Sequence, residues 1–307
     1  MFAQLFRTIS RLWLVSFLFS AQFVLAQFQA TDLSDNIFMV QNPNGNTLVA
    51  VDSEGLILVD GVRAELAEAY LDFVTEKSGE NRIKSLILSH WHPEVTGLNA
   101  ILGPQGVEII AHDNTKQWLN STIRERGEKI LHSPIPENHL PTTTFYWGAM
   151  DLEFNADKII IGYLVQAHTD GDVYVRFPAE NILYTGPAVL SDGWSVVDDT
   201  TNGFIGGLMD GLDTLSALVD DETVIVPGSG PLMNETEFGN QVAMYKSINQ
   251  EMIVLLRKSM STEEVIGANP AAGYMPEWDE PTEFLDNGFR SFFGHLRNGR
   301  HIGGGFP

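Results

Sequence analysis

Two histidines and a glutamate lie close together in residues 89–97, which run Ser-His-Trp-His-Pro-Glu-Val-Thr-Gly. They follow residues 83–88, an apolar run typical of a buried strand, so the side chains emerge where a strand ends. Open α/β sheets place their chemistry at that edge. Because alternate residues of an extended segment point the same way, His90 and His92 can direct ring nitrogens to one metal ion, and Glu94 can follow them. Two incidental surface histidines would produce the same pair, so the rest of the chain must distinguish the two interpretations.

A third histidine has a similar setting. His168 lies in the run Ala-His-Thr-Asp-Gly-Asp of residues 167–172, between a predicted strand that ends at Val165 and another that begins at Val173. It is therefore also expected on a loop at a strand end, where it can join the first two histidines.

These runs, with Tyr-Thr-Gly-Pro at 184–187 and Val-Pro-Gly-Ser-Gly-Pro-Leu at 226–232, resemble those of the metallo-β-lactamase superfamily. The resemblance extends in order over nearly the whole chain after residue 26. It implies an α/β fold, an αββα sandwich of two mixed β-sheets with helices on the outer faces. It also implies a zinc site at one edge of the sheets.

The chain departs from the family pattern at the second metal. The family's first motif is His-x-His-x-Asp-His, whereas here Glu94 stands for the aspartate and Val95 for the last histidine. Pro187 stands where the family has a bridging aspartate, and Ser229 where it has a histidine. The resemblance therefore implies one zinc ion on His90, His92 and His168, with only Glu94 left as a ligand of the second.

Three imidazoles with an open fourth position make a complete catalytic zinc arrangement, able to lower the pKa of a bound water to about 7. Glu94 is the predicted catalytic residue, as the group that takes the proton of that water or orients the hydroxide. The alternative is that Glu94 only holds a histidine or the loop. Asp60 and Asp170 are candidates to hold the far sides of the imidazoles, with a turn or capping role as the alternative.

Two functions follow from this pattern. The first is a secreted hydrolase that uses one zinc-bound hydroxide on an ester, amide, lactam, lactone or thioester. The second is a non-catalytic descendant that binds a ligand in the old cleft, with or without zinc. Retention of all three ligands of one metal favours the hydrolase, and loss of the other metal's ligands favours the binding protein.

Other histidines and tryptophans give weaker signals. Surface or core packing is the better interpretation for the histidines without paired spacing, namely His112, His132, His139, His295 and His301. His112 is the best placed of these because it follows a strand. Trp91 and Trp194 are candidates for apolar walls of the cleft, or for ordinary packing.

The elements that must position these residues alternate between strands and helices. Strands are predicted at 37–40, 47–51, 56–59, 83–88, 107–111, 150–154, 159–165, 173–177, 182–184 and 223–226. Helices are predicted at 64–75, 114–129, 206–219 and from Asn234 to Met260, where Asn234 and Glu237 form a capping pattern. No linker divides the series, so residues 27–307 are predicted to form one domain. An irregular tail begins at about residue 269, with a possible final helix at 284–296.

The bulk composition limits the partners. The 307 residues carry a formal net charge of −22, contain no cysteine and are 44% hydrophobic. Such a negative field repels phosphate backbones and anionic lipid surfaces, so a small-molecule substrate is expected and nucleic acid is not. Without cysteine, a transition-metal site must be built from His, Asp and Glu.

The first 26 residues have the pattern of a secretory signal peptide. Arg7 and Arg11 precede a short apolar run, and Val24 and Ala26 occupy the small-residue positions before a cut at Gln27. The alternative, a transmembrane anchor, needs about 20 apolar residues, and this run is shorter. Export to the periplasm or outside the cell is therefore predicted, with no stable membrane anchor after processing.

Overall fold

A computed structural model describes residues 27–125 and 129–302 of the chain, with side chains as far as residue 295. The predicted signal peptide, residues 1–26, lies outside the described residues and stays a prediction. In the described part, no helix is long and apolar enough to span a membrane.

The strands are numbered in chain order. They are β1 (Gln29–Asp32), β2 (Ile37–Asn42), β3 (Gly45–Asp52), β4 (Gly55–Val59), β5 (Ile83–Ile87), β6 (Glu108–His112), β7 (Ile123–Glu125), β8 (Lys129–His132), β9 (Thr143–Phe145), β10 (Ala149–Phe154), β11 (Asp157–Leu164), β12 (Asp172–Phe177), β13 (Ile182–Tyr184) and β14 (Val224–Val226).

The α-helices are numbered in the same way. They are α1 (Ala67–Ser78), α2 (Pro93–Thr96), α3 (Asn99–Leu102), α4 (Asp113–Leu119), α5 (Ile205–Ser216), α6 (Glu235–Arg257), α7 (Thr262–Ala268) and α8 (Thr282–Ile302).

Two mixed sheets carry the architecture. The first has the order β1-β2-β3-β4-β5-β6-β9, and the second has the order β10-β11-β12-β13-β14. Strands β1 to β4 pair antiparallel, and β4, β5, β6 and β9 pair parallel. In the second sheet only β13 and β14 are parallel. Strands β7 and β8 form a separate hairpin.

The two sheets pack face to face because their strands alternate side chains between two apolar surroundings. Leu48 and Ala50 of β3 pack with Ile161 of the second sheet, whereas Val49 points to the opposite face and packs near Tyr70 of α1. The outer face of the second sheet packs against α5, α6 and α8. The layers are therefore helix, sheet, sheet, helix, and the αββα sandwich predicted from the resemblance is confirmed.

The ends of the parallel strands bring the predicted site together. The residues that follow β4 and β5 bond directly, through Ser89 N–H to Asp60 Oδ1 at 2.6 Å. The second sheet joins them where Val173 N–H donates to Ser89 O at 2.9 Å. Gly186, after β13, lies so near Ser89 that an added Cβ would be 3.0 Å from the serine Cβ. Both sheets thus deliver their loops to one edge.

The predicted strands are confirmed to within about two residues. The helices predicted at 64–75 and 206–219, and the helix that begins after Asn234, are confirmed to within about three residues. The helix predicted over 114–129 is wrong. Helix α4 ends at Leu119, and the following residues form the β7–β8 hairpin. The reason is that the carbonyl oxygen of Leu119, which a continuing helix would pair with the N–H of Ile123, accepts from Ile135 N–H at 3.1 Å instead.

Candidate metal centre

His90, His92 and His168 meet at the edge where the two sheets join. The first two lie in the loop between β5 and α2, and His168 lies in the turn between β11 and β12. One ring nitrogen of each lies within 4.8 Å of the others. The sequence predicted this meeting, but it expected Glu94 in an extended segment. Glu94 instead lies in the first turn of α2, which Pro93 begins.

His90 is oriented by a buried chain of hydrogen bonds. Ser89 Oγ donates to Asp60 Oδ2 at 2.5 Å and lies 2.9 Å from His90 Nδ1. Because the one serine proton goes to the carboxylate, the imidazole must donate from Nδ1, which leaves the Nε2 lone pair free. Tyr184 OH also donates to Asp60 Oδ2, at 2.6 Å. These bonds hold Asp60 in a left-handed backbone conformation with φ 61°.

His92 and His168 are oriented in the same sense. His92 Nε2 lies 3.1 Å from Asp198 Oδ2, and His168 Nδ1 bonds the carbonyl oxygen of Val196. Both oxygens are acceptors, so each imidazole donates its outer N–H and directs the other nitrogen inward. His92 Nδ1 and His168 Nε2 then face each other at 2.9 Å. Two lone pairs at that distance repel unless a cation lies between them.

The donor set fits zinc. His90 is 3% exposed, and its Nε2 is buried without a hydrogen-bond partner among the described residues. Leaving such an atom unpaired is costly unless a ligand satisfies it. Three imidazole nitrogens within 4.8 Å of one another are a donor set of the kind that zinc takes in proteins.

The surrounding charges also favour a cation. Burial, with the neighbouring His92 and His90, lowers the pKa of His168 well below its ordinary value, which keeps this ring neutral. Burial alone would lower the pKa of His90, but the carboxylates of Glu94, Asp60 and Asp172 outweigh it and raise that pKa. Burial raises the pKa of Asp172 to about 7. The site therefore holds buried carboxylates whose charge a metal ion would offset.

Glu94 lies between the imidazoles and an arginine. Its Oε1 is 3.6 Å from His92 Nδ1 and 4.0 Å from His90 Nε2, and its Oε2 is 3.5 Å from an Arg63 guanidinium nitrogen. Burial alone would raise the pKa of Glu94, but the two histidines hold it far below its ordinary value. Because 4.0 Å is too long for a hydrogen bond, we attribute this effect to charge attraction. Glu94 is thus ionised and faces the metal-binding nitrogens.

Arg63 is positioned by the backbone that follows β4. Gly61 N–H donates to Val95 O at 2.8 Å, and Gly97 N–H donates to Val62 O at 2.9 Å. A Cβ on Gly97 would lie 2.3 Å from Val62 O, so glycine is required for this close approach. The segment that carries Arg63 is therefore held against α2 and Glu94.

The three positions that differ from the family pattern lie at the same edge of the sheets, but none of them offers a free ligand atom to a second metal. Val95 is buried, and Pro187 lies in a 3-10 turn over Gly186–Ala188. Ser229 Oγ donates to Asp192 Oδ2 at 3.0 Å. A Cβ on Gly228 would be 3.2 Å from the nitrogen of Pro187, so the loops after β13 and β14 are in contact.

Of the other residues that the sequence suggested for the site, some contact the histidines and some do not. Asp60 reaches His90 through Ser89, whereas the Asp170 carboxylate accepts bonds from Trp118 Nε1 at 2.6 Å and Asn202 Nδ2 at 2.8 Å instead of from the metal-site histidines. His112 stacks on Tyr163 with ring centroids 3.9 Å apart.

Of the two tryptophans, Trp91 lines the cleft beside His92. Trp194 packs in the core, where it stacks on Phe284 at 5.3 Å and donates from Nε1 to Asp279 O at 2.8 Å.

Several residues of the site were missed by sequence reasoning. Asp198 holds His92, and its other bonds come from Thr200 N at 2.9 Å and Thr201 Oγ1. The same Thr201 hydroxyl accepts from Trp91 Nε1 at 3.0 Å. Arg63 was also missed. The only local signal was the Asp-Asp-Thr-Thr run at 198–201, which is typical of a turn and does not identify its target.

The final helix closes one side of the cleft. Glu283, Asp286, Asn287 and Arg290 of α8 line the cavity that contains His92 and His168. On its other side α8 buries four apolar side chains in the core of the second sheet, those of Phe284, Leu285, Phe289 and Phe292. The final helix expected at 284–296 within the tail is therefore present, and it forms a wall of the site.

Comparisons with known proteins agree with this architecture. The model of the metallo-beta-lactamase superfamily matches residues 42–229. A metallo-beta-lactamase type 2 of Bacteroides fragilis is 22% identical over 189 residues, which cover 59% of this chain and 70% of the relative.

Solved structures show the same fold at low identity. A metallo-beta-lactamase from Pontibacter korlensis matches with a TM-score of 0.58 and 17% identity, over 72% of this chain and 99% of that one. The stereoselective inverting sec-alkylsulfatase Pisa1 from Pseudomonas sp. matches with a TM-score of 0.65 and 15% identity, over 91% of this chain. This chain covers 52% of the alkylsulfatase. With the family match over more than half of its length, the chain belongs to the metallo-beta-lactamase superfamily.

Proposed function

We propose that this protein is a zinc-dependent hydrolase that holds one zinc ion on His90, His92 and His168 and cleaves an ester, amide, lactam, lactone or thioester. The observation that carries the proposal is the common orientation of the imidazoles, each of which donates outward and turns a free nitrogen inward. Zinc held by these three residues would supply a hydroxide nucleophile at neutral pH and would polarise a carbonyl group.

The chain's own residues would then prepare the reaction. Glu94, ionised and 3.6 Å from His92 Nδ1, is placed to accept the proton of the attacking water. Arg63 attracts the other carboxylate oxygen and keeps Glu94 from turning away. Asp198 and Ser89 fix the rings of His92 and His90, so the ligands are oriented before a substrate enters.

The proposal specifies one ion. Val95 and Pro187 have no side-chain donor for a metal, and the Ser229 hydroxyl is bonded to Asp192. In addition, Arg63 brings a positive charge to Glu94, the remaining ligand position of a second metal. The positive charge of this guanidinium would repel a second metal ion at that position.

Metal analysis tests the proposal directly. The purified chain, reconstituted with zinc and desalted, should contain about one zinc per chain, and His168→Ala should lose it. His139→Ala is the matched control, because His139 does not line the cavity that contains His92 and His168. Its backbone carbonyl oxygen accepts from Asn99, and alanine keeps that bond. Two zinc ions at full occupancy, or none after reconstitution, would contradict the proposal.

A substrate panel then tests catalysis. It should span esters, amides, lactones and thioesters, together with a β-lactam and a secondary alkyl sulfate, which the names of the similar proteins suggest. We expect turnover of a carbonyl compound that disappears with a chelator and returns with zinc. Chelation should also lower the melting temperature, because a ligand bound only to the native state stabilises it.

A specific observation keeps the non-catalytic alternative in view. Val95, Pro187 and Ser229 occupy the positions of the family's second-metal ligands, and the loops that carry Pro187 and Ser229 pack closely without a second metal ion. If the zinc-loaded protein turns over no substrate of the panel, the cleft serves for binding instead.

We also propose that the chain is exported and acts on a small molecule. The signal pattern of residues 1–26 supports export. The net charge of −22 supports a partner other than nucleic acid.

A further inference from the structure

The cavity beside the metal-site histidines is large and carries unbalanced charge. It has a volume of about 1100 Å³, and the described residues that line it include six carboxylates, two arginines and no lysine. The carboxylates belong to Glu94, Glu125, Asp198, Asp199, Glu283 and Asp286. These groups leave a formal charge of −4. Arg63, which pairs with Glu94 from outside the lining, reduces this charge to −3, and a divalent ion on the histidines would reduce it to −1.

One of the arginines is already occupied within the protein. Arg290 of α8 lies 2.8 Å from Asp286 Oδ2 and 3.3 Å from Asp199 Oδ2. Its guanidinium is therefore engaged by two carboxylates and is poorly placed to receive an anionic substrate. A second cavity of about 1100 Å³ shares Asp199, Glu283 and Asp286 with the first, so the negative surface continues outward from the site.

The same cavity has an apolar side. Trp91, Val196 and Val197 line it next to the histidines, and Leu131, 45% exposed, lies on the β8 strand. A ligand that reaches the metal site thus meets both apolar side chains and carboxylates. This combination accommodates a molecule with an apolar body and a positively charged end.

From this arrangement we infer that the cleft selects carbonyl substrates that carry a cationic group, such as an ammonium, and disfavours anionic ones. The inference rests on the proposed hydrolase function and names its substrate class. A cleft lined by one sign of charge concentrates ligands of the opposite sign and raises their association rate by roughly 10- to 1,000-fold. An alkyl sulfate carries a negative charge and would be repelled.

Three synthetic esters test the inference. They share a nitrophenyl leaving group and a chain length, and they end in trimethylammonium, tert-butyl or carboxylate. With the zinc-loaded full chain at low salt, kcat/KM should follow that order, with the cation at least about tenfold above the anion. At about 1 M salt, where the screening length is about 3 Å, the preference should largely disappear. Equal or reversed rates at low salt would overturn the inference, as would a preference that salt leaves unchanged.

Matched variants locate the effect. Glu283→Lys places a positive charge on the cleft and should reduce the cation-to-anion ratio severalfold. Glu235→Lys is the control, because both residues are exposed in the first turn of a helix and Glu235 lines neither cavity. Equal effects of the two variants would assign the preference to the net charge of the whole protein and contradict a role of the cleft.

Binding separates this inference from the hydrolase proposal. Non-hydrolysable ketones, in which a methylene replaces the ester oxygen, carry the same three ends and are titrated calorimetrically into the zinc-loaded protein. If no ester is cleaved but the ammonium ketone binds at least about tenfold more tightly than the carboxylate ketone, the hydrolase proposal fails and the charge selection stands. If the ketones bind equally, the charge selection fails whatever the esters show.

Discussion

At the scale of single residues, the site depends on which nitrogen of each imidazole carries a proton. Asp60, Ser89, Asp198 and the Val196 carbonyl decide this from outside the metal-binding cluster. Loss of such outer partners typically weakens metal binding or activity by about 10- to 100-fold. The acceptors are therefore as informative to mutate as the ligands.

Ser89→Ala should weaken zinc binding by about 10- to 100-fold, because the buried hydroxyl links His90 to Asp60. Competition with a chromophoric chelator measures this affinity. Ser85→Ala is the matched control, since Ser85 is also fully buried on β5 but its hydroxyl has no hydrogen-bond partner among the described residues. Equal affinities of the two variants would show that the Ser89 link does not orient His90.

Glu94→Gln should keep the zinc and lose about 100- to 10,000-fold of turnover, because the amide is nearly isosteric but takes no proton. Steady-state rates on a neutral ester, with zinc content measured in parallel, check this. Glu125→Gln is the control, a carboxylate that lines the same cavity. If Glu94→Gln turns over at the full rate, Glu94 is structural and the metal acts without it.

At the scale of elements, a buried carboxylate helps to connect the two sheets at the end opposite the site. Asp52, at the end of β3, accepts from Glu54 N at 2.9 Å, from Lys84 Nζ on β5 at 3.0 Å and from Asn155 N at 2.7 Å. Asn155 lies in the turn between β10 and β11, so these bonds connect both sheets. Burial alone would raise the pKa of Asp52, but these hydrogen bonds outweigh it and lower that pKa.

A group whose pKa is lower in the folded than in the unfolded chain stabilises the fold above its unfolded pKa, about 3.9 for aspartate, and loses this effect as the pH falls through the folded pKa. Asp52→Ala should therefore lower the unfolding free energy by about 1–3 kcal/mol at pH 7, and by less below about pH 4. Urea unfolding of the metal-free protein across this pH range measures it.

Asp151→Ala is the control for this prediction. Asp151 is 56% exposed and pairs with Lys158 at 2.7 Å, so its removal should cost about 0–1 kcal/mol. A penalty for Asp52→Ala that stays constant or grows in acid would contradict the assigned role.

The loops at the strand ends, which carry Arg63, Val95, Pro187 and Ser229, also allow a test of the second metal site. If their backbones still follow the family, Val95→His, Pro187→Asp and Ser229→His together should restore a second zinc. We expect the stoichiometry to rise from one toward two only when Arg63→Ala removes the guanidinium beside Glu94. Zinc titration of the triple and quadruple variants measures this. A folded quadruple variant that still binds one zinc would mean that the cleft has been rebuilt.

At the scale of the whole molecule, the predicted removal of the signal peptide would make the protein more acidic. Removal of residues 1–26 takes away two arginines and no acid, so the formal charge changes from −22 to −24. A net charge far from zero favours solubility. The excess of carboxylates is also found in the cleft described above.

The mature protein should begin at Gln27. Mass spectrometry of the exported product in a bacterial host measures this terminus, and Ala26→Leu should impair cleavage because the peptidase needs a small residue there. A membrane-bound product that retains Met1 would replace the signal peptide with an anchor.

The sequence by itself predicted the three candidate metal ligands and most of the strands. His90, His92 and His168 were identifiable because each lies in a short motif next to an apolar strand, and strands are specified by local patterns of side chains. The missing donors at Val95, Pro187 and Ser229 were visible for the same reason. Helix α4 was predicted too long because its polar residues carry no periodicity that marks its end.

Only the tertiary structure decided what surrounds these ligands. His92 and Asp198 are 106 positions apart, Trp91 and Thr201 are 110 apart, and Asp60 and Tyr184 are 124 apart. The side chains of α8 reach the cleft from still farther along the chain. Such contacts arise when two sheets and their outer helices pack together, and no local pattern encodes which residues then meet. The ligands are thus a property of short segments, whereas their orientation and the charge of the cleft are properties of the packed fold.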